Sequence, residues 1–102
     1  MISINKKMEN KLTQKEIKKN ASRLKGWVLN EDSLEREVRF EDFKQAINFV
    51  NKVAKKAEEK NHHPDIFIFY DTVILSLISH KVNALTEKDI EMAKEINKLK
   101  KK

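Results

Sequence analysis

The first regular alternation of apolar and polar positions begins at Leu12-Thr13-Gln14-Lys15-Glu16-Ile17. Thr13 reads as a helix N-cap, Glu16 as its capping-box partner, and Leu12 against Ile17 as a hydrophobic staple. Ile17, Ala21 and Leu24 continue one apolar stripe and Gly26 is a natural stop, so a helix is predicted over 14–25. The period then shortens. Trp27-Val28-Leu29 is a short β run, and Asn30-Glu31-Asp32-Ser33 has turn chemistry. Residues 34–40 set Leu34, Val38 and Phe40 on one face against Glu35, Glu37 and Arg39 on the other, which completes a predicted hairpin.

From Glu41 the helical period returns, with Phe43, Ala46, Ile47, Val50, Val53, Ala54 and Ala57 at three- and four-residue steps. This helix should end near Asn61 or His62, because Pro64 disfavours helical backbone at His63. Glu58 and His62, four apart, should extend its inward stripe. Residues 66–70 and 72–79 form two β-rich runs around Tyr70-Asp71, a second hairpin. In the later run Val73, Leu75 and Leu77 face one way and Ile74 and Ile78 the other. A chain this short can cover one sheet face with its own helices, so apolar residues on the second face predict a homo-oligomer, a dimer or a tetramer. Thr86-Glu87-Lys88-Asp89 opens a last helix with the stripe Leu85, Met92, Ala93, Ile96 and Leu99. Asp89 falls on that stripe, where an apolar residue is expected; a first-turn acid bonding back to the Thr86 amide is one reading of it. The order is α-β-β-α-β-β-α. The predicted fold class is α+β, a four-stranded antiparallel sheet covered on one face by three helices.

Composition narrows the chemistry. With 102 residues and 39% apolar content the chain is one small domain with one modest core. It has no Cys, so disulfides, thiolate metal sites and thiol nucleophiles are excluded. No apolar run approaches the length of a membrane span and the first residues lack a secretion signal's apolar core, so a soluble, cytoplasmic protein is expected. The formal net charge of +6 divides unevenly: Lys6, Lys7, Lys11 and Glu9 lie in the first eleven residues, Lys98, Lys100, Lys101 and Lys102 in the last five, and the stretch between balances. Residues 1–12 and 98–102 therefore read as basic tails on a domain spanning 13–97. No nucleic-acid partner is expected, because a phosphate-binding face would carry its charge on the folded surface that docks.

All three histidines lie within 62–80: His62 and His63 side by side, and His80 after the last β run. Neighbouring histidines cannot share a face of a helix or strand, although they can diverge at a helix end. Zinc ligation is disfavoured by the missing i, i+4 pair and the missing HExxH. Ordinary half-buried histidines are one reading. Acid–base work without a metal is another, since imidazole, with an unperturbed pKa of about 6.5, lets one ring take a proton while another gives one. If the second hairpin folds tightly, His80 reaches the His62–His63 corner, with Glu58 and Asp89 nearby.

The spacing as a whole adds a resemblance. Glu58, His62-His63-Pro64, Tyr70, His80 and Asp89, separated by three, five, nine and eight residues, resemble the signature of the pterin-4a-carbinolamine dehydratases. Gly26-Trp27, Phe40-Glu41-Asp42-Phe43, Ala57-Glu58 and Leu85-Thr86-Glu87-Lys88-Asp89 also sit where that family has similar residues, so the resemblance covers about 13–97. It implies dehydration of a 4a-hydroxytetrahydropterin to the quinonoid dihydropterin, with no metal, flavin or nicotinamide cofactor. It also implies acid–base roles for His62 and His80, a binding and orienting role for His63, and electrostatic support from Glu58 and Asp89. Pro64, Ser79, Lys81 and Trp27 would line or wall the pterin pocket; for Trp27 a core position is an equal reading. Some relatives partner regulatory proteins, and the alternatives to catalysis are a binding module or a pterin-handling role in molybdopterin metabolism. The chain departs from the family's usual residues at Ile66 (Trp), Ser79 (often Thr) and Ala84 (Gly). If Ala84 needed positive φ it would cost roughly 1 kcal/mol, or the loop would take another shape.

Overall fold

The structure, a computed structural model, describes residues 10–100. Most of the predicted basic tails, residues 1–9 and 101–102, lie outside those described residues. The elements are α1 (Gln14–Ala21), β1 (Trp27–Asn30), β2 (Ser33–Arg39), α2 (Phe43–Lys60), β3 (Asp65–Phe69), β4 (Thr72–Leu77) and α3 (Glu87–Leu99). The predicted order and fold class hold: one antiparallel sheet in the order β1-β2-β4-β3, with the helices packed on one face. Both hairpins turn on two residues, Glu31-Asp32 and Tyr70-Asp71, and the first residue of each turn takes positive φ.

Alternation in the strands decides which side the helices cover. Leu34, Val38, Val73, Leu75 and Leu77 are buried and point at Ala46, Phe49, Val53 and Ala57 of α2 and at Ile90, Met92, Ala93 and Ile96 of α3. Two stripe assignments need correction. Phe43 and Ala54 are exposed, and Phe49 is buried in their stead; it is three residues from Ala46 and four from Val53, so the stripe lies slightly around the helix from the predicted one. In α3 the stripe gains Ile90. The first helix also stops earlier than predicted: its capping box closes between Thr13 and Glu16, but the helix ends at Ala21 and the chain turns through residues 22–25 to Gly26 at φ +88°.

Gly26 marks a packed corner. A Cβ built there would stand 2.9 Å from the Arg36 guanidinium carbon. That guanidinium cannot easily retreat, because it donates to the Lys25 carbonyl at 3.2 Å and to the Asn97 side-chain oxygen. The same Asn97 oxygen accepts the Trp27 indole N–H at 2.9 Å, and burial lowers the Arg36 pKa from its ordinary value. Gly26→Ala combines a positive-φ penalty with this contact, and should lower unfolding free energy by about 1–2 kcal/mol in a denaturant titration. An unchanged midpoint would show that the corner relaxes freely.

Candidate active site

The site is built where α2 ends and α3 begins. Asn61 adopts left-handed backbone (φ 53°, ψ 43°) and caps α2, with its N–H shared between the Ala57 and Glu58 carbonyls, and the His62 N–H reaches back to Ala57 O at 3.1 Å. Helical periodicity therefore stops one residue before the histidines, which sends them apart. His62 turns inward, its side chain only 13% exposed, and its Nε2 stands 2.7 Å from Asp89 Oδ1. His63 turns outward, half exposed, with Nε2 2.7 Å from Glu58 Oε2. The predicted face shared by Glu58 and His62 is thus corrected: Glu58 is exposed and pairs with His63, because the left-handed cap breaks the four-residue step. Pro64 is buried behind them and leads into β3.

The other wall comes from the chain between β4 and α3. The strand predicted to reach Ser79 ends at Leu77, and Ser79 instead forms an isolated bridge with Ala84. Their backbones exchange hydrogen bonds of 3.0 and 3.3 Å, closing a four-residue loop, His80 to Asn83. Asn83, not Ala84, carries the positive φ of this loop, so an alanine at 84 meets no left-handed strain. The closed neck brings Ser79 against Thr86, the N-cap of α3. The two hydroxyl oxygens lie 2.7 Å apart, and the Ser79 hydroxyl donates to Asp89 Oδ2 at 2.8 Å. Asp89 Oδ2 also accepts the Thr86 N–H at 2.9 Å, completing the capping box. Both readings of Asp89 hold at once: one oxygen caps the helix while the other holds an imidazole. Asp89 and Thr86 are fully buried.

Above this buried group lies a pocket of about 90 Å³. His62 and His80 both line it, with Ser79 and Thr86 in the lining and Lys81, Val82 and Lys88 completing it. His80 is exposed and has no hydrogen-bond partner among the described residues. His63, Glu58 and Pro64 stand beside the pocket and are not among its lining residues. Trp27 is not brought there: it is buried in the core and bonded to Asn97, about 12 Å along the α3 axis from Asp89 at 1.5 Å per residue. Thr86 and Lys88 were not singled out as pocket residues by the sequence, which marks Thr86 only as a helix cap. The pocket is smaller than the roughly 300–1,000 Å³ typical of ligand sites. A wider, shallow groove of about 990 Å³ between Phe40, Lys52 and Lys98 carries no imidazole. Among the described residues no three His, Asp or Glu side chains gather in metal-binding geometry, and no helix is long and apolar enough to cross a membrane.

Comparison with known proteins gives a consistent set of matches. A family model described as "Pterin 4 alpha carbinolamine dehydratase" matches residues 10–99. A relative from Sulfurisphaera tokodaii named "Putative pterin-4-alpha-carbinolamine dehydratase" is 45% identical over 89 residues, covering 87% of this chain and 96% of its own. A protein of the same name from Acidobacterium capsulatum is 48% identical over 88 residues, covering 86% and 96%. Among solved structures, a transcriptional coactivator/pterin dehydratase from Brucella melitensis superposes with a TM-score of 0.84 at 35% identity, covering 88% of this chain and 98% of that one. A pterin dehydratase-like protein identified as a RuBisCO assembly factor in the alpha-carboxysome shares the fold at TM-score 0.59 and 20% identity, over 72% and 84% of the two chains.

Proposed function

The chain belongs to the pterin 4 alpha carbinolamine dehydratase family, and from that membership we propose that it dehydrates a 4a-hydroxytetrahydropterin to the quinonoid dihydropterin. The observation that carries this reading is the convergence of His62 and His80, from a helix end and a loop, on one pocket with a buried carboxylate behind it. In the reaction the N5 proton leaves to a base, the N5–H electron pair becomes the second bond of C4a=N5, and the C4a hydroxyl departs as water on receiving a proton. His62 suits the base: Asp89 orients the ring and offers a counter-charge once the ring has taken the proton. His80, with no carboxylate against it, suits the acid that protonates the leaving hydroxyl. His63, held by Glu58, orients the part of the pterin left outside the pocket, Ser79 and Lys81 shape the pocket's walls, and Pro64 backs the two histidines. No cofactor enters this chemistry. The role is tetrahydropterin recycling in the cytoplasm, carried by the 13–97 domain with its basic ends as solubilising tails. The alpha-carboxysome assembly factor shows that this fold serves other ends, but a pure adaptor has no use for two imidazoles and a buried carboxylate at one pocket. The test is a dehydratase assay on enzymatically generated 4a-hydroxytetrahydropterin with His80→Ala as control; turnover no faster than the spontaneous reaction would overturn the reading.

The working form is a homo-oligomer. The sheet face away from the helices carries Val28, Phe67 and Phe69, at least half exposed, and Tyr70 beside them. Phe67 and Phe69 lie on β3 and Val28 on β1, the two edge strands of the sheet, each with one unpaired side. Phe67→Lys with Phe69→Lys should convert the oligomer to monomer by light scattering while leaving the fold's circular dichroism unchanged. A wild-type chain that is monomeric at working concentration would remove this part of the proposal.

A further inference from the structure

The buried side chains beneath the pocket form a chain of hydrogen bonds with one direction. The Lys88 N–H can only donate, and it points at Thr86 Oγ1 from 3.2 Å. The Thr86 N–H can only donate as well, and it engages Asp89 Oδ2. Thr86 is fully buried, and the acceptor within reach of its hydroxyl proton is Ser79 Oγ at 2.7 Å. Were Ser79 to donate to Thr86 instead, the Thr86 proton would be buried with no acceptor. The Ser79 hydroxyl, receiving from Thr86, passes its own proton direction on to Asp89 Oδ2 at 2.8 Å. Asp89 Oδ2 is thereby pinned by two donors, which holds Oδ1 against His62 Nε2 at 2.7 Å, where a carboxylate oxygen accepts only an N–H.

We propose that Thr86 and Ser79 are positioning residues that lock neutral His62 in its Nε2–H tautomer, so that Nδ1 is the nitrogen left with a lone pair to accept a proton. Thr86 thereby does two jobs with one side chain: its oxygen caps α3, and its proton sets the direction of the relay. Ser79 transmits that direction from the helix cap to the carboxylate. The serine at 79 suffices because the relay needs only a hydroxyl there. The kinetic consequence rests on the dehydratase reading, whereas the tautomer itself does not.

Ring-nitrogen chemical shifts of His62, assigned in the full-length protein, read the tautomer directly. The wild type should show a single Nε2–H form above the ring's titration. Ser79→Ala leaves the Thr86 cap of α3 in place and should give mixed tautomers; turnover should fall roughly 10–100-fold, the scale at which outer partners of an oriented imidazole act, with KM little changed. Ser79→Thr should restore both. Thr86→Val should match Ser79→Ala in tautomer and rate, and Thr86→Ser should recover them; if Thr86→Val fails to fold, the Ser79 pair decides alone. A His62 tautomer unchanged in Ser79→Ala would overturn the proposal, even if that variant melted earlier. A locked tautomer in a wild-type chain without dehydratase activity would support the relay and remove only the functional reading.

Discussion

Replacing His80 by alanine is expected to lower dehydration turnover by about 10²–10⁴-fold, the usual contribution of a positioned acid or base. This residue gives the cleanest separation of chemistry from folding. It is exposed, sits on the loop closed by the Ser79–Ala84 bridge, and has no hydrogen-bond partner among the described residues, so its removal orphans nothing. Stability should move by no more than about 0.5 kcal/mol, as for surface substitutions in general. His62→Ala should lose activity on the same scale but also lower the melting temperature, since it leaves the buried Asp89 Oδ1 without its imidazole. His63→Ala should act on KM more than on turnover, because its ring stands beside the pocket and is held by an exposed glutamate. Wild-type turnover in both His62→Ala and His80→Ala would remove acid–base catalysis by this pair, whatever the pterin.

The sequence made the fold legible because its local signals agree with one another. Two capping boxes, two tight turns and a single proline mark nearly every boundary, and strand alternation points the same residues inward that the structure buries. What it did not reveal lies where local pattern gives way to a backbone conformation. A helical count carried past residue 60 pairs Glu58 with His62; the left-handed Asn61 ends that count and delivers Glu58 to His63 and His62 to Asp89. The strand reading of 72–79 likewise follows the β-branched run and misses the bridge that pinches Ser79 against Thr86. Thr86 was visible as a cap, yet nothing local shows that a cap residue also faces a pocket, since that depends on a closure seven residues upstream. Trp27 shows the converse. Its place beside Gly26 fits the family's pattern, but its indole is spent on Asn97 in the core.

Asp89 is where fold and chemistry are hardest to separate, and its replacement should cost both. Asp89→Ala removes the acceptor for three donors at once: the His62 ring, the Ser79 hydroxyl and the Thr86 amide. The side chain is fully buried, so water cannot replace it at Oδ2, and each stranded buried donor costs about 1–3 kcal/mol. His62 is partly reachable by solvent and recovers some of its share. A net loss of about 2–5 kcal/mol follows, a large fraction of the 5–15 kcal/mol that holds a domain of this size together. Asp89→Asn keeps the shape and one acceptor, and its amide group adds donors where Ser79 and His62 also donate. It should therefore fold more stably than the alanine variant while still losing activity, because His62 can no longer present the same nitrogen. Denaturant unfolding measured alongside turnover distinguishes the two effects. If Asp89→Asn kept full activity, the carboxylate would serve the helix cap alone and the histidine would need no partner.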